Sequence, residues 1–194
     1  MKKNNNMKIW KHKNYKEYVK AQIILNLEKL TWCYVKGSTI QIIVDDYGEA
    51  KTVLCHGTRN GKEQKLFLNK YPNAEIVGTE ISHTAKDFPM TVQWDFHDIK
   101  DEWIGKFDII YSNAFDHSYD PAKIFDTWGK QLSKNGKLYL EHEERYKDGV
   151  PEPGDCLVIV GKEIIEMLPL HGLKLDKKVS LKKTLSLYVI SKNE

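Results

Sequence analysis

Short runs of β-branched and apolar residues alternate with helical or turn-like segments between residues 52 and 140. Such alternation is typical of βαβ units, whose parallel strands are covered by helices on both faces. Two later apolar runs, at 174–179 and 185–190, flank the polar pair Lys182-Lys183 and predict an antiparallel hairpin at the sheet edge. We therefore expect an α/β fold with a mostly parallel sheet. The first five runs, each a predicted strand, are residues 52–55, 75–78, 91–94, 107–111 and 137–140.

Apolar residues recur at steps of three and four between Tyr15 and Tyr34, Ile24 and Leu27 among them. This period predicts an amphipathic helix with those side chains towards the core. Residues 39–44 are apolar and β-branched, but the run is too short for its period to distinguish a strand from a helix. Three other helices are expected, beginning near Lys62, at Pro121 and at Glu163.

Two residues are expected to cap these helices. Asn60 lies just before Lys62, and Glu63 follows it by three residues, the spacing of a capping box. Asp120 immediately precedes Pro121, as an N-cap residue commonly precedes a proline in the first helical position.

The net charge of +3 is the remainder of two basic ends and an acidic middle. Seven Lys and one Glu give residues 1–20 a balance of +6, and six Lys and two acids give residues 172–194 a balance of +4, so the middle carries −7. A nucleic-acid-binding protein would place Lys, Arg and aromatic residues near its site, whereas the middle of this chain is acidic. We expect the basic ends to be solvated faces.

No apolar run approaches the ~20 residues that a membrane span requires, and the Lys- and Asn-rich start leads into no secretory signal. Cys33, Cys55 and Cys156 fit neither a disulfide framework nor a Cys-x-x-Cys metal motif. A cytoplasmic protein without a membrane partner is expected.

The first predicted strand leads into a glycine-bearing turn, Cys55-His56-Gly57-Thr58-Arg59-Asn60-Gly61. Free backbone amides in such a turn favour an anionic group. The second strand ends at Glu80, 23 residues after Gly57, where a carboxylate can accept hydrogen bonds from ribose hydroxyls. A dinucleotide-binding turn needs glycines two and five residues after Gly57, but Arg59 and Lys62 stand there, which disfavours a nicotinamide enzyme.

Between about Thr52 and Glu141 the sequence resembles the class I S-adenosylmethionine-dependent methyltransferases, especially the small single-domain group often called type 11. Each motif is loosely matched, but five in the family's order make the resemblance specific. The motifs are the turn at 53–61, Ile76-Val77-Gly78-Thr79-Glu80-Ile81-Ser82, Trp94-Asp95-Phe96, the fourth strand with Phe115-Asp116-His117-Ser118-Tyr119-Asp120-Pro121, and Leu132-Ser133-Lys134-Asn135-Gly136-Lys137-Leu138.

The resemblance implies a Rossmann-like sheet of seven mostly parallel strands with an antiparallel C-terminal hairpin and helices on both faces. It implies one methyltransferase-like domain over residues 1–194, with a helical cap at 1–38 and a cofactor-binding core at 52–194. It also implies S-adenosyl-L-methionine as cofactor and methyl transfer to a small-molecule acceptor by in-line displacement. The cofactor-binding residues it implies are His56, Gly57, Thr58, Arg59, Gly61, Glu80, Ile81, Asp95, Phe96 and Asn113.

Two positions depart from the family's first motif. Cys55 replaces its acid, and Arg59 replaces its middle glycine. We hypothesise that the Arg59 guanidinium compensates by binding the cofactor's carboxylate, since it suits bidentate recognition. The alternative is an arginine that points to solvent.

Asp116 and His117 are the candidate general base, because His has a suitable pKa and an adjacent acid can orient it. The alternative is that this pair braces the loop. His142 and Glu143 are the second choice. Trp94 and Phe96 are expected in the core more than on a ligand face. His97-Asp98 and Glu141-His142-Glu143-Glu144 match no metal-ligand motif, so no metal is expected.

Two other functions stay open. A methyltransferase fold can serve as a cofactor-binding module without turnover, and the loss of the acid at Cys55 is compatible with this. An enzyme acting on nucleic acid or protein could use the basic stretch from Lys2 to Lys20. The sequence Ser112-Asn113-Ala114-Phe115 lacks the prolines of base-methylating enzymes, so nucleic acid is not favoured.

Overall fold

The computed structural model describes residues 7–143 and 149–193. Lys2 and Lys3 of the basic stretch, and Glu144 of the run Glu141-His142-Glu143-Glu144, lie outside these ranges. The strands are β1 (Lys8–Ile9), β2 (Thr52–His56), β3 (Glu75–Glu80), β4 (Thr91–Gln93), β5 (Phe107–Ser112), β6 (Leu132–Glu143), β7 (Leu157–Val158), β8 (Leu173–Ser180) and β9 (Leu185–Lys192). The helices are α1 (Tyr15–Glu28), α2 (Gly37–Tyr47), α3 (Lys62–Leu68), α4 (Pro121–Gln131) and α5 (Gly161–Met167).

Seven strands form one sheet in the order β4-β3-β2-β5-β6-β9-β8. The first five pair in parallel, and β9 pairs antiparallel with both β6 and β8. This confirms the predicted mostly parallel sheet and its C-terminal hairpin. It also shows that β9 enters between β6 and β8, so β8 is the edge strand. The short strands β1 and β7 form a separate antiparallel pair.

The central strands are buried on both faces, as the unbroken apolar runs predict. Along β2, Leu54 packs into one hydrophobic cluster while Val53 and Cys55 pack into the other. The first cluster also holds Trp128 of α4, and the second holds Phe67 of α3, both fully buried. Because successive side chains of a strand point to opposite faces, helices on both sides of the sheet are needed to cover them.

Helix α1 differs from the prediction in length and in the face it buries. It ends at Glu28 rather than Tyr34, and Ile24 and Leu27 are nearly half exposed. Its buried residues are instead Tyr18, Gln22 and Asn26, four residues apart. A polar buried face is stable only with polar partners. The outcome is explained by where α1 lies, over a cavity whose wall includes the charged side chains of Arg59, Glu80 and Asp95, rather than over the apolar core alone. No helix in the described ranges is long and apolar enough to cross a bilayer.

The unassigned residues 39–44 belong to α2. Its last turn is attached to the sheet through the Asp46 carboxylate, whose Oδ2 accepts hydrogen bonds from Tyr139 Oη at 2.7 Å and Lys137 Nζ at 3.1 Å. Lys177 of β8 forms an ion pair with the same group. Burial acts to raise the pKa of Asp46, but the hydrogen bonds from Lys177, Tyr139 and Lys137 outweigh it and lower the pKa to about 2.

Asp46→Asn is expected to lower the free energy of unfolding at pH 7 by about 1 kcal/mol, since solvent screens part of the pairing. The folded-state pKa is depressed, so the contribution is present above pH about 4 and is lost as the pH falls towards about 2. Urea unfolding at several pH values should therefore show the two proteins converging in acid. Asp45→Asn is the control, because the exposed Asp45 accepts its hydrogen bond from Gln41 of its own helix rather than from the sheet. Equal effects of the two substitutions would contradict the proposed anchor.

Candidate functional site

A small cavity of about 40 Å³ lies beside the carboxyl ends of β2, β3 and β5 and beneath α1. Open α/β sheets bind ligands at this edge. Residues from α1, from the turn after β2 and from the end of β3 meet there. Its lining comprises Tyr18, Gln22, Leu25, Asn26, Gly57, Arg59, Glu80, Ile81, Asp95, Phe96, Ala114 and His117.

The turn after β2 passes very close to the segment after β5. Gly57 has φ +72°, and a Cβ built on it would stand 2.5 Å from Cβ of Ala114. Only glycine combines this conformation with such an approach. Arg59 also has a positive φ, of 46°, although it carries a side chain. The predicted glycine turn is therefore present, with Gly57 as the residue that it requires.

Glu80 is held by two backbone amides. Its Oε2 accepts from Arg59 N at 3.1 Å and its Oε1 from Ser82 N at 2.8 Å. Burial raises the pKa of Glu80, while the bonds from Ser82 and Arg59 oppose the rise. Each carboxylate oxygen keeps a lone pair for a further donor. Glu80 therefore lines the cavity with acceptor capacity that its two backbone hydrogen bonds do not use.

Asp95 and Phe96 form the next part of the wall. Asp95 Oδ2 accepts a hydrogen bond from Tyr15 Oη at 3.0 Å, and its Oδ1 accepts one from His97 N at 2.9 Å. Burial acts to raise the pKa of Asp95, but its bonds to His97 and Tyr15 lower it overall. Phe96 lines the cavity and also belongs to the core, so both alternatives apply to it. Trp94 packs against the core and lines neither cavity.

A larger cavity of about 450 Å³ adjoins the first one. Gly57, Arg59, Ala114 and His117 line both, so the two form one connected site. The further lining residues come from 29–36, the turn after β2, the segment after β5, the end of β6 and the loop before β7. They include Trp32, Tyr34, Thr58, Glu63, Asn113, Asp116, Glu141, His142, Glu143 and Asp155.

His117 stands at the junction of the two cavities. Its Nδ1 lies 2.9 Å from the carbonyl oxygen of Gly154, and its Nε2 lies 3.8 Å from Asp116 Oδ1. Asp155 Oδ1 is 3.4 Å from Nδ1. If Nδ1–H donates to Gly154, Nε2 carries the lone pair. Ligand atoms of Asp116, His117 and Asp155 lie within 4.8 Å of one another, close enough for the three to hold a metal ion. The expectation that the protein uses no metal stays a prediction.

The chain is similar to known proteins in its structure, but no match is found from its sequence. No protein-family model matches the chain, and no curated protein does. The Burkholderia thailandensis 1,6-didemethyltoxoflavin-N1-methyltransferase, solved with its acceptor and S-adenosylhomocysteine, has a TM-score of 0.75 at 12% identity, covering 95% of this chain and 93% of its own.

Two other solved structures are similar. The O-methyltransferase of a Brevibacillus brevis trans-AT PKS multienzyme has a TM-score of 0.64 at 15% identity, over 89% of this chain and 79% of its own. The geranyl diphosphate C-methyltransferase of Streptomyces coelicolor has 0.65 at 11%, over 80% and 77%. The chain has the class I S-adenosylmethionine-dependent methyltransferase fold. This confirms the resemblance at the level of fold.

Within this methyltransferase fold, most predicted cofactor contacts line the connected site, but two do not. The ring of His56 is turned into the core, where it stacks on Trp128 at 4.7 Å and bonds to Thr79 and Gln131. Burial lowers the pKa of His56 to about 3, so the imidazole is neutral. Gly61 lines neither cavity and starts α3 in a left-handed conformation.

The predicted cap of α3 is wrong, and that of α4 is confirmed. Asn60 does not cap α3, because its Nδ2 donates to the carbonyls of Leu30 and Trp32 instead. Asp120 does cap α4, with Oδ1 accepting from Lys123 N. Asn60 thereby ties the turn to the chain that follows α1, a long-range contact that local spacing cannot reveal.

Sequence reasoning missed Tyr18, Gln22 and Asn26 of α1 and the cavity-lining Glu63 and Asp155. The first three share a helix face at a spacing of four, a signal that the apolar pattern of the helix obscured. Gln22 Nε2 donates to Gly154 O at 2.8 Å, so the loop before β7 lies beside the cavity that α1 covers.

Gly57→Ala is expected to lower the free energy of unfolding by about 3 kcal/mol, since positive φ and overpacking against Ala114 both add cost. Gly105→Ala is a matched control, because Gly105 also has a positive φ but nothing within 4 Å of a Cβ. It should lose about 1 kcal/mol. Thermal and urea unfolding of both variants measure the difference, and equal losses would refute the close approach.

Proposed function

We propose that this protein transfers a methyl group from S-adenosylmethionine to a small-molecule acceptor. The observation that carries the proposal is the connected pair of cavities with His117 at their junction. Glu80, Asp95 and Phe96 line one side, and an open cavity of about 450 Å³ lies on the other.

The residues present fit the cofactor. Glu80 retains acceptor capacity for the ribose hydroxyls, Asp95 can accept from the adenine amine, and Phe96 offers a ring to the adenine. Arg59 lines both cavities and is our candidate for the cofactor's carboxylate. When bound, S-adenosylmethionine supplies a methyl group on a positively charged sulfur, so that a lone pair of the acceptor can bond to the methyl carbon while the sulfur leaves as a neutral thioether.

The acceptor class is inferred from the second cavity. Its volume of about 450 Å³ lies in the range of small-molecule pockets, ~300–1,000 Å³. Trp32 and Tyr34 are both about half exposed at its edge and offer apolar surface to an organic acceptor. The similar solved enzymes named above include N-, O- and C-methyltransferases, two of them named for small-molecule acceptors, which supports this class.

His117 is the proposed general base. With Nδ1 donating to Gly154, its Nε2 can take the proton that the acceptor loses as the new bond forms. Asp116 and Asp155 then stabilise the imidazolium, at 3.8 Å and 3.4 Å from its two nitrogens. Most of the rate enhancement is assigned to holding acceptor and methyl together, a contribution of ~7–11 kcal/mol.

Arg59→Ala is expected to weaken S-adenosylhomocysteine binding at least tenfold, because a charge-assisted bond to the carboxylate is lost. Isothermal titration calorimetry measures this. Lys62→Ala is the control, since Lys62 is a nearby exposed cation outside both cavities. Unchanged affinity of Arg59→Ala would refute the assigned role. Absence of binding by the unaltered protein would refute the proposed function itself.

His117→Asn is expected to reduce turnover by ~100-fold or more and to leave cofactor affinity within about twofold. Asparagine can still donate to Gly154 O, so the loop should be retained. Transfer of labelled methyl from S-adenosylmethionine to a panel of small amines, phenols and carboxylates gives the rate. Tight cofactor binding with no product from any acceptor, protein or nucleic acid would favour the cofactor-binding module instead.

A further inference from the structure

Position 55 cannot supply the negative charge that the acid of the first motif would carry. Cys55 is fully buried at the end of β2, and burial raises the pKa of its thiol well above the usual range. The second cause of that rise is Glu63, whose carboxylate lies near enough to act on the thiol. A carboxylate is therefore present near Cys55, but it comes from the first turn of α3.

Glu63 is buried in the wall of the larger cavity with part of its hydrogen-bonding capacity unused. Its side chain belongs to a residue only 7% exposed, and its Oε2 has no partner among the residues that the structure describes. The amide nitrogen Nδ2 of Asn113, on the same wall, also has no well-formed hydrogen bond among the described residues, and it lies close enough to the Glu63 carboxylate to lower its pKa. An unsatisfied buried polar atom costs free energy unless a ligand satisfies it.

The charges around Glu63 indicate which ligand it suits. Arg59 is the cation that acts on it, while Glu141, Tyr111, Cys55 and Cys33 interact with it electrostatically without neutralising it. A carboxylate, a guanidinium and an amide on one wall match a zwitterionic α-amino acid group. The ammonium would meet Glu63 and the carboxylate would meet Arg59. Both residues line the cavity where it joins the smaller one through Gly57 and Arg59.

We propose that Glu63 supplies the charge missing at position 55 and binds the α-ammonium of the cofactor's amino-acid end. This assignment rests on the proposed function. It explains why a chain with cysteine in the acid's place retains a complete polar wall. In this assignment the carboxylate belongs to the helix after the strand, rather than to the strand end, and Glu63 lines the cavity from that helix.

The ionisation of Glu63 supports the assignment. Burial raises its pKa to about 7, against the opposing effects of backbone bonding, Arg59 and Asn113. An ammonium binds the ionised carboxylate, so protons compete with the ligand below pH 7. S-adenosylhomocysteine should therefore bind up to tenfold less tightly for each unit below that pH. An analogue in which hydrogen replaces the α-amino group should lack the part of this dependence that is due to Glu63.

The experiment is calorimetric binding of both ligands to the full chain as unaltered protein and as Glu63→Gln. We expect Glu63→Gln to bind S-adenosylhomocysteine ~10–100-fold less tightly and the deaminated analogue within about twofold of the unaltered protein. Glu49→Gln, at an exposed site outside both cavities, should change neither affinity. The double variant Cys55→Asp with Glu63→Gln should recover part of the lost affinity by returning the carboxylate to position 55.

Three outcomes would overturn the assignment. Equal losses for both ligands would mean that Glu63 only supports the fold, and no loss for either would place the ammonium elsewhere. If Glu63→Gln does not fold, the pH dependence of the unaltered protein decides, and identical profiles for the two ligands refute the assignment. In all three cases the unaltered protein still binds S-adenosylhomocysteine, so the proposed function stands. If it binds neither ligand, the proposed function fails as well.

Discussion

Parallel pairing of β2 with both β3 and β5 is the constraint on which the site depends. In this register His56 lies opposite Thr79 and Ser112, so three strands end at one level. The segments that leave these ends share a narrow space, in which Gly57 passes so close to Ala114 that a Cβ on it would stand 2.5 Å from the Ala114 Cβ. Every later element of the site, from Glu80 to His117, is positioned by loops that start from this common edge.

The helix α1 shows how the site affects the rest of the fold. A helix over an apolar core would bury its aliphatic residues, but α1 buries Tyr18, Gln22 and Asn26 and exposes Ile24 and Leu27. Part of their hydrogen-bonding capacity is satisfied, since Gln22 Nε2 donates to Gly154 O and Asn26 Oδ1 accepts from Thr84 Oγ1 at 2.9 Å. Asn26 Nδ2 is buried without a partner among the described residues. Helix α1 therefore leaves aliphatic side chains exposed and places polar side chains in the cavity wall, where a ligand can form hydrogen bonds with them.

The structure also shows where the acids from the middle of the chain lie. Several of its acids come together in the connected site, but they do so beside Arg59 and the exposed Lys36 and Lys182 at the rim. Three of them, Glu63, Glu80 and Glu141, are buried and have raised pKa values because of that burial. Asp95 is also buried, but its bonds to His97 and Tyr15 outweigh burial and lower its pKa. Burial and hydrogen bonding at each position, rather than the net charge of the region, therefore decide how readily each acid ionises.

Local period and spacing predict the alternation of strands and helices, the parallel sheet with its hairpin, the glycine turn and the acid at the end of β3. The folded chain alone shows that His56 lies in the core, that Asn60 bonds to the chain after α1, and that Glu63 lines the larger cavity. Each of these depends on what lies across from a side chain. Local pattern carries no information about contacts between residues distant in sequence, and burial by such contacts is what turns a polar residue into a functional one.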